Sequence, residues 1–111
     1  MKLLKKLILF TVIAAMAFAL VACGNGGETL EMATNAAFPP YEYKEGDSFA
    51  GIDIEIAQLY AKEKNLKLVV KNIDFDAIFT NVDSGYADMG MAGMTISEER
   101  LALYDFTDTY Y

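Results

Sequence analysis

Histidine and tryptophan are absent from this chain of 111 residues, and cysteine occurs once, at position 23. Without histidine, an ordinary zinc site and a Ser–His or Cys–His nucleophile are excluded, and we expect no metal or other cofactor. A single cysteine forms no disulfide within the chain. Basic residues are also few, because nine Lys and Arg against sixteen Asp and Glu give a net charge of −7. An acidic surface repels nucleic acid and anionic lipid headgroups, so neither is an expected partner.

A long apolar run lies at the N-terminus, over residues 7–22, behind three lysines in the first six positions. It falls short of the roughly 20 residues that a spanning helix needs, and the pattern is typical of a secretory signal. Residues 20–23 (Leu-Val-Ala-Cys) resemble a lipobox, which implies that Cys23 is lipidated. The alternatives are a buried thiol or an uncleaved anchor helix. We therefore predict a lipoprotein signal peptide over residues 1–22, a lipidated flexible tether over 23–28 and one small domain over 29–111.

Strand and helix patterns alternate along that domain. Strands are predicted over residues 30–34, 66–70 and 87–91, the last of them central in the sheet, and helices over 53–64, 76–83 and from Ser97 onward. A hairpin, with a turn at 44–47 and a second arm at 48–52, precedes the first helix. This order predicts an α/β fold with a mainly parallel sheet flanked by helices. Ligands of such sheets collect outside the carboxyl ends of the strands.

The first predicted helix is expected to be capped by the Asp53 side chain. Its inward-facing stripe is expected to consist of Ile56, Ala57, Leu59, Tyr60 and Ala61.

Arg100 occupies an electrostatically unusual place in the segment Ala92-Gly93-Met94-Thr95-Ile96-Ser97-Glu98-Glu99-Arg100. Ser97 can cap a helix, and a cation in the first turn of that helix opposes the macrodipole, at a cost of a few tenths to about 1 kcal/mol. An anion held by the guanidinium, the Thr95 hydroxyl and the loop N–H groups beside Gly93 would compensate. The alternatives are a solvated arginine and a simple turn glycine.

Six segments together resemble the first lobe of the polar-amino-acid binding proteins of ABC importers, the family 3 extracellular solute-binding proteins. The segments are residues 33–43, 51–57, 74–78, 84–89, 92–100 and 104–111. The resemblance implies the type II periplasmic-binding-protein-like fold, here incomplete, with residues 29–111 as a partial first lobe. It also implies that the second lobe and the returning part of the first are missing.

The resemblance also implies a ligand site. Phe38 and Phe75 match positions that commonly line the ligand cleft, although either ring alone reads more readily as core. Arg100 and Thr95 would bind the ligand carboxylate, and carbonyls around Ala92 and Gly93 would accept from its ammonium. Asn35 matches a position where relatives often carry an acid, and this departure weakens the case for a lysine or arginine ligand.

The expected function is extracytoplasmic binding of a polar amino acid and its delivery to an ABC permease, from a lipid anchor at the outer face of the cytoplasmic membrane or in the periplasm. With one of two lobes, binding is expected to be absent or about millimolar. The alternatives are the binding lobe of a dehydratase or lytic transglycosylase, a receptor sensor domain, and a truncated product without function. We expect the chain not to be an enzyme.

Overall fold

The computed structural model describes residues 27–110, together with Met1 and Leu3. The predicted signal peptide, Cys23 and most of the predicted tether lie outside the described residues. The elements are β1 (Thr29–Thr34), β2 (Ala37–Phe38), β3 (Glu42–Glu45), β4 (Ser48–Ala50), α1 (Ile52–Glu63), β5 (Lys67–Asn72), α2 (Ala77–Asp83), β6 (Met89–Gly90) and α3 (Glu98–Leu101). No helix in this described part has the length and apolar character needed to cross a bilayer.

The parallel sheet has the strand order β5-β1-β6. In its register Met32 lies opposite Val70 on one side and opposite Met89 on the other. Strand β1 is central because it pairs with β5 on one side and β6 on the other, and its residues from Met32 to Thr34 are completely buried. The prediction of a central strand over 87–91 is wrong: β6 contains two residues and lies at the edge of the described sheet, although Asp88 and Met91 still donate backbone hydrogen bonds to β1.

Adjacent residues of β1 point to opposite faces of the sheet and enter two separate cores. Met32 packs with Ile54 and Ala57 of α1 on one face. Ala33 packs with Ile78 of α2 and with Ala87 and Ala92 on the other. Methionines at positions 89, 91 and 94 pack against these cores, as expected for side chains that fill irregular apolar gaps. The predicted class, an α/β fold with a parallel sheet flanked by helices, is confirmed.

A second, antiparallel sheet has the order β2-β3-β4 and contains the predicted hairpin. The turn between β3 and β4 is confirmed, with Gly46 in the left-handed region at φ 63°. The second arm ends at Ala50, earlier than predicted, because Gly51 turns the chain into α1 at φ 119°. A Cβ at Gly51 would lie 2.3 Å from the Tyr41 carbonyl oxygen, so only glycine fits there.

Asp53 does not cap α1, contrary to the prediction. The N-cap residue is Gly51, and the first N–H groups of the helix are satisfied by backbone: Ile52 N donates to Pro40 O at 3.0 Å and Asp53 N donates to Tyr41 O at 2.9 Å. These carbonyls take the place of a capping side chain. The Asp53 side chain is instead completely buried.

The inward stripe of α1 consists of Asp53, Ile54, Ala57 and Ala61. Ala57 and Ala61 were predicted, but Leu59 and Tyr60 are 68% and 48% exposed. At about 100° per residue, Leu59 lies about 200° around the helix from Ala57, on its far side. Lys64 is the C-cap of α1, and Asn65 follows it in the left-handed region at φ 56°.

Candidate functional site

The parallel strands β1, β5 and β6 end at Thr34, Asn72 and Gly90, so the loops that follow them leave one edge of the sheet. Each of these loops carries at least one polar or charged side chain: Asn35 after β1, Asp74 after β5, and Thr95 after β6. The candidates that follow these strand ends directly or within the next loop are Asn35, Phe75, Ala92, Gly93, Thr95 and Arg100. Phe38 belongs to β2 in the second sheet. Half of its surface is exposed, and its ring stacks on Tyr41 with a centroid separation of 5.4 Å.

An open depression of about 410 Å³ lies at this edge and is lined by Asn35, Asn72, Ile73, Asp74, Ala77 and Asn81. Asn35 Nδ2 donates to Ile73 O at 2.9 Å, and the Asn72 side chain accepts from Ala36 N at 2.8 Å. The Asn35 nitrogen is therefore engaged, and its Oδ1 is the atom of that amide left to accept from a ligand. The lining contains three amides and one carboxylate, and no basic side chain.

Ser97 caps α3, as predicted, by accepting from Arg100 N at 3.3 Å. However, α3 contains only four residues, so Arg100 lies in its last turn as well as its first. The predicted conflict with the helix macrodipole therefore does not arise, because a single turn aligns few peptide dipoles. The position of the Arg100 guanidinium is instead set by its side-chain contacts.

The Arg100 guanidinium is held by one hydrogen bond and two aromatic rings. Its Nη1 donates to Thr95 O at 2.8 Å. Its Cζ lies 5.7 Å from the Phe75 ring centroid and 5.2 Å from that of Phe79. Both distances are within cation–π range. The structure thus brings together three of the predicted residues, Thr95, Phe75 and Arg100, and leaves other guanidinium N–H groups to meet an anion.

Phe79 was not singled out in the sequence, although its four-residue spacing from Phe75 is the signal that could have found it. Its ring also packs against Tyr104 at a centroid distance of 4.8 Å. Tyr104 Oη donates to Asp83 Oδ2 at 2.9 Å, and this hydrogen bond is the main cause that raises the pKa of Tyr104. The aromatic pair therefore links α2 to the segment that follows α3.

The loop of residues 92–95 is anchored at its start. Ala92 is 5% exposed and packs in the core between α2 and the parallel sheet, with Ala33 and Ile78. Gly93 adopts the left-handed conformation, with φ 55°, and its N–H donates to Asp53 Oδ2 at 3.1 Å. Thr95, by contrast, is exposed. The Gly93 N–H therefore already has an acceptor within the protein. The donors in this segment that remain for a ligand carboxylate are the Arg100 guanidinium and the Thr95 hydroxyl.

Asp53 and Glu42 form a buried acidic pair that sequence reasoning missed. Asp53 is completely buried and Glu42 is 1% exposed. Asp53 Oδ1 also accepts from Tyr110 Oη at 2.7 Å. Burial raises the pKa of Glu42 to about 8, with further contributions from a hydrogen bond to Asp53 and from the Asp53 charge. The sequence feature that could have indicated this pair is an acidic residue at an inward-facing position of a helix, Asp53, together with one within a strand, Glu42.

The chain forms a partial α/β lobe of the periplasmic binding protein class, with an arginine and hydrogen-bond acceptors at the carboxyl edge of its parallel sheet. The family "Bacterial extracellular solute-binding proteins, family 3" matches residues 30–111. The chain belongs to this family, which confirms the membership predicted from the sequence.

Two relatives place the chain within the family. It is 39% identical to the arginine-binding extracellular protein ArtP of Bacillus subtilis, over 97% of this chain and 45% of ArtP. It superimposes on the arginine-bound form of domain 1 of TmArgBP with a TM-score of 0.72 and 30% identity, over 75% of this chain and 67% of that domain. The chain thus spans less than half the length of ArtP and about two thirds of an isolated first domain.

An enzyme also matches part of the chain. The membrane-bound lytic murein transglycosylase F 1 of Alkalilimnicola ehrlichii is 36% identical over 61% of this chain, a stretch that is 14% of the enzyme.

Proposed function

We propose that this chain is the first-lobe part of an extracytoplasmic binding protein that captures a cationic amino acid for an ABC importer. The observation that carries the proposal is the Arg100 guanidinium, fixed against Thr95 O, Phe75 and Phe79 at the carboxyl edge of the sheet. A guanidinium held in place binds a carboxylate with two parallel hydrogen bonds at little entropic cost. The exposed Thr95 hydroxyl adds a third donor.

The ligand side chain would lie in the depression beside Asn35. Asn35 Oδ1 can accept a hydrogen bond, and the carboxylate of Asp74, the residue directly before Phe75, supplies a negative charge. The absence of basic side chains from this lining favours a ligand with N–H donors and a positive charge. An amide at position 35 therefore does not count against a cationic ligand, because Asp74 provides the charge. ArtP and domain 1 of TmArgBP, both named for arginine, support this choice.

Titration calorimetry of the purified chain would test the proposal with three ligands. Arginine has both groups, agmatine lacks the carboxylate, and citrulline carries a neutral urea in place of the guanidinium. We expect a millimolar dissociation constant for arginine and about tenfold weaker binding of the other two, since each loses one charge-assisted contact worth about 1.4 kcal/mol. Equal affinities for arginine and agmatine, or no arginine binding at tens of millimolar, would overturn the proposal.

Two pairs of variants assign the contacts. Arg100→Gln should abolish the preference for arginine over agmatine, whereas Glu98→Gln, on the same turn and exposed, should preserve it. Asp74→Asn should remove the preference for arginine over citrulline. Asp76→Asn is its control, because Asp76 is exposed, lies two residues on and does not line the depression.

Anchoring and delivery form a second part of the proposal. Residues 1–22 would direct export, Cys23 would carry the lipid, and the loaded lobe would present its ligand to the permease after closing on a second lobe. The lipobox-like sequence at residues 20–23 supports this. A lipid-sized mass increase on the N-terminal peptide, lost in Cys23→Ser together with membrane retention, is the expected result. Release of the unmodified wild-type chain into the medium would contradict it.

We propose that the chain has no catalytic activity of its own. The relatives named for arginine binding support this, and the transglycosylase match covers only a small part of that enzyme. Purified murein incubated with the chain should show no decrease in turbidity beyond that of an Arg100→Gln control.

A further inference from the structure

We propose that Glu42 and Asp53 are a positioning pair for the amino-acid site: the Glu42 carboxyl group donates to Asp53, and Asp53 in turn holds the loop that leads from Gly93 to Thr95. The inference rests on the proposed function, because it assigns these residues a role in presenting that loop to the ligand. Asp53 meets this loop at the Gly93 N–H, and both acids are buried, so the role assigned to them is through the loop.

The geometry joins four separate parts of the chain at the Asp53 carboxylate. Asp53 projects from α1, and Glu42 comes from β3. One Asp53 oxygen accepts from Gly93 N at 3.1 Å, and the other accepts from Tyr110 Oη at 2.7 Å. Both of these partners donate, so each Asp53 oxygen acts as an acceptor.

The charge balance requires one of the two acids to be neutral. Both are buried, and the buried Glu42 Oε2 has no hydrogen-bond donor among the described residues. The salt bridge found within residues 27–110 joins Lys71 to Glu31 and does not involve either acid. Two negatively charged carboxylates side by side in the interior, with no cation beside them, would be strongly unfavourable. Burial and the neighbouring Asp53 raise the pKa of Glu42 to about 8, so Glu42 is protonated at neutral pH and has a proton to donate.

Asp53 of α1 is the titratable group that acts on Glu42, through a hydrogen bond and its charge. Tyr110 hydrogen-bonds the same Asp53 carboxylate. The other charged residues of β3, Lys44 and Glu45, are exposed, as is Glu55 of α1. The net charge of the Glu42–Asp53 pair therefore depends chiefly on whether Glu42 is protonated.

The pair controls the loop because Gly93 N has Asp53 as its hydrogen-bond acceptor. When Glu42 loses its proton, two negative carboxylates face each other and Asp53 is pushed from its place. Gly93 then loses its acceptor, and the left-handed turn that presents Thr95 is released. Asp53 and Glu42 thus act on the ligand through the position of Thr95 and of the chain leading to Arg100.

The first experiment measures arginine affinity by calorimetry from pH 6.5 to 9.5 for the wild type, Glu42→Gln and Glu45→Gln. Glutamine keeps a donor for Asp53 and cannot ionise, while Glu45→Gln removes an exposed charge from the same strand. Titration of the ligand is the same in every sample. The ratio of wild-type to variant affinity therefore reports only the change in affinity that titration of the protein causes. We expect the wild type to weaken about tenfold relative to Glu42→Gln as the pH rises through 8, and Glu45→Gln to follow the wild type. A constant wild-type to Glu42→Gln ratio overturns the inference.

The second experiment is independent of ligand. Hydrogen exchange of the Gly93 amide, corrected for the intrinsic base-catalysed rate, should lose protection above pH 8 in the wild type and keep it in Glu42→Gln. In Asp53→Leu, which has a similar volume and no acceptor for the Gly93 N–H, the protection should be reduced at every pH. Equal Gly93 protection in the wild type and Asp53→Leu overturns the inference. If the amide follows Glu42 but no amino acid binds, the pair and its control of the loop are supported and the proposed function fails.

Discussion

The ring centroid of Phe79 lies 5.2 Å from Arg100 Cζ and is closer to the guanidinium than the Phe75 centroid, at 5.7 Å. Phe79 therefore supplies a second aromatic surface for the residue that we assign to the ligand carboxylate. Its own position is fixed from the other side by Tyr104. Arg100 is therefore held by a residue of α2, Phe79, as well as by the Thr95 carbonyl of its own loop.

We expect Phe79→Leu to weaken arginine binding two- to fivefold, since a cation–π contact at a partly exposed site contributes about 0.5–1 kcal/mol. Agmatine binding should be almost unchanged, because agmatine has no carboxylate for Arg100. Phe79→Tyr keeps the ring and should bind arginine as the wild type does. Calorimetry with both ligands checks this, and an equal loss for arginine and agmatine would indicate general unfolding instead.

Gly51→Ala should be among the most destabilising single substitutions in α1 and its approach. The new Cβ would lie 2.3 Å from Tyr41 O, in a backbone conformation with φ 119°. We expect a loss of about 2–4 kcal/mol in the free energy of unfolding. Gly46→Ala is the matched control: its φ of 63° is also left-handed, but nothing lies within 4 Å of the added Cβ. A cost of about 1–2 kcal/mol is expected there. Urea denaturation measures both, and equal costs would contradict the assignment of backbone contact.

The two faces of α1 should respond differently to truncation. Ile54 is 1% exposed and packs against Met32, so Ile54→Ala should cost about 2–5 kcal/mol. Leu59 is 68% exposed, so Leu59→Ala should change the free energy of unfolding by no more than about 0.5 kcal/mol. A large loss at Leu59 would mean that its face of the helix is covered in solution.

Stability should fall as the pH rises from about 4.5 to about 8. The pKa of Glu42 is raised from 4.5 to about 8 in the folded chain, so in this window the folded state keeps a proton that the unfolded state releases. The contribution is complete below pH 4.5, declines by on the order of 1 kcal/mol per pH unit, and is lost above about 8. Denaturation at several pH values should show this slope in the wild type and in Glu45→Gln. In Glu42→Gln the slope should be smaller by that amount, and an unchanged slope would refute the assignment.

Much of the fold followed from patterns that are local in the sequence. The apolar strand at β1, the turn before Gly46 and the Ser97 cap depend on near neighbours and were predicted correctly. The central position of β1 was not predicted, because strand order depends on which strand is buried by partners far along the chain. The cap of α1 was misassigned for the same reason: its acceptors are the carbonyls of Pro40 and Tyr41, which no pattern around Asp53 reveals.

The candidate site divides in the same way. The loops that follow β1, β5 and β6 could be located from strand order along the chain and the rule for carboxyl edges. The hydrogen bond of Gly93 to Asp53 and the contact of Phe79 with Arg100 join residues on different elements, so composition and spacing alone did not distinguish them. The predicted roles of Asn35, Phe38 and Ala92 in ligand binding stay predictions.

Asp53 has a consequence for the order in which the chain folds. Its hydrogen-bond partners, Gly93 and Tyr110, are 40 and 57 positions further along the sequence. Until both have been synthesised and docked, burial of α1 leaves a carboxylate without its donors, and an unpaired buried charge costs several kcal/mol. Contacts of such separation also slow folding. Burial of Asp53 with all of its hydrogen bonds therefore requires the segment from residue 93 to residue 110 to be in place.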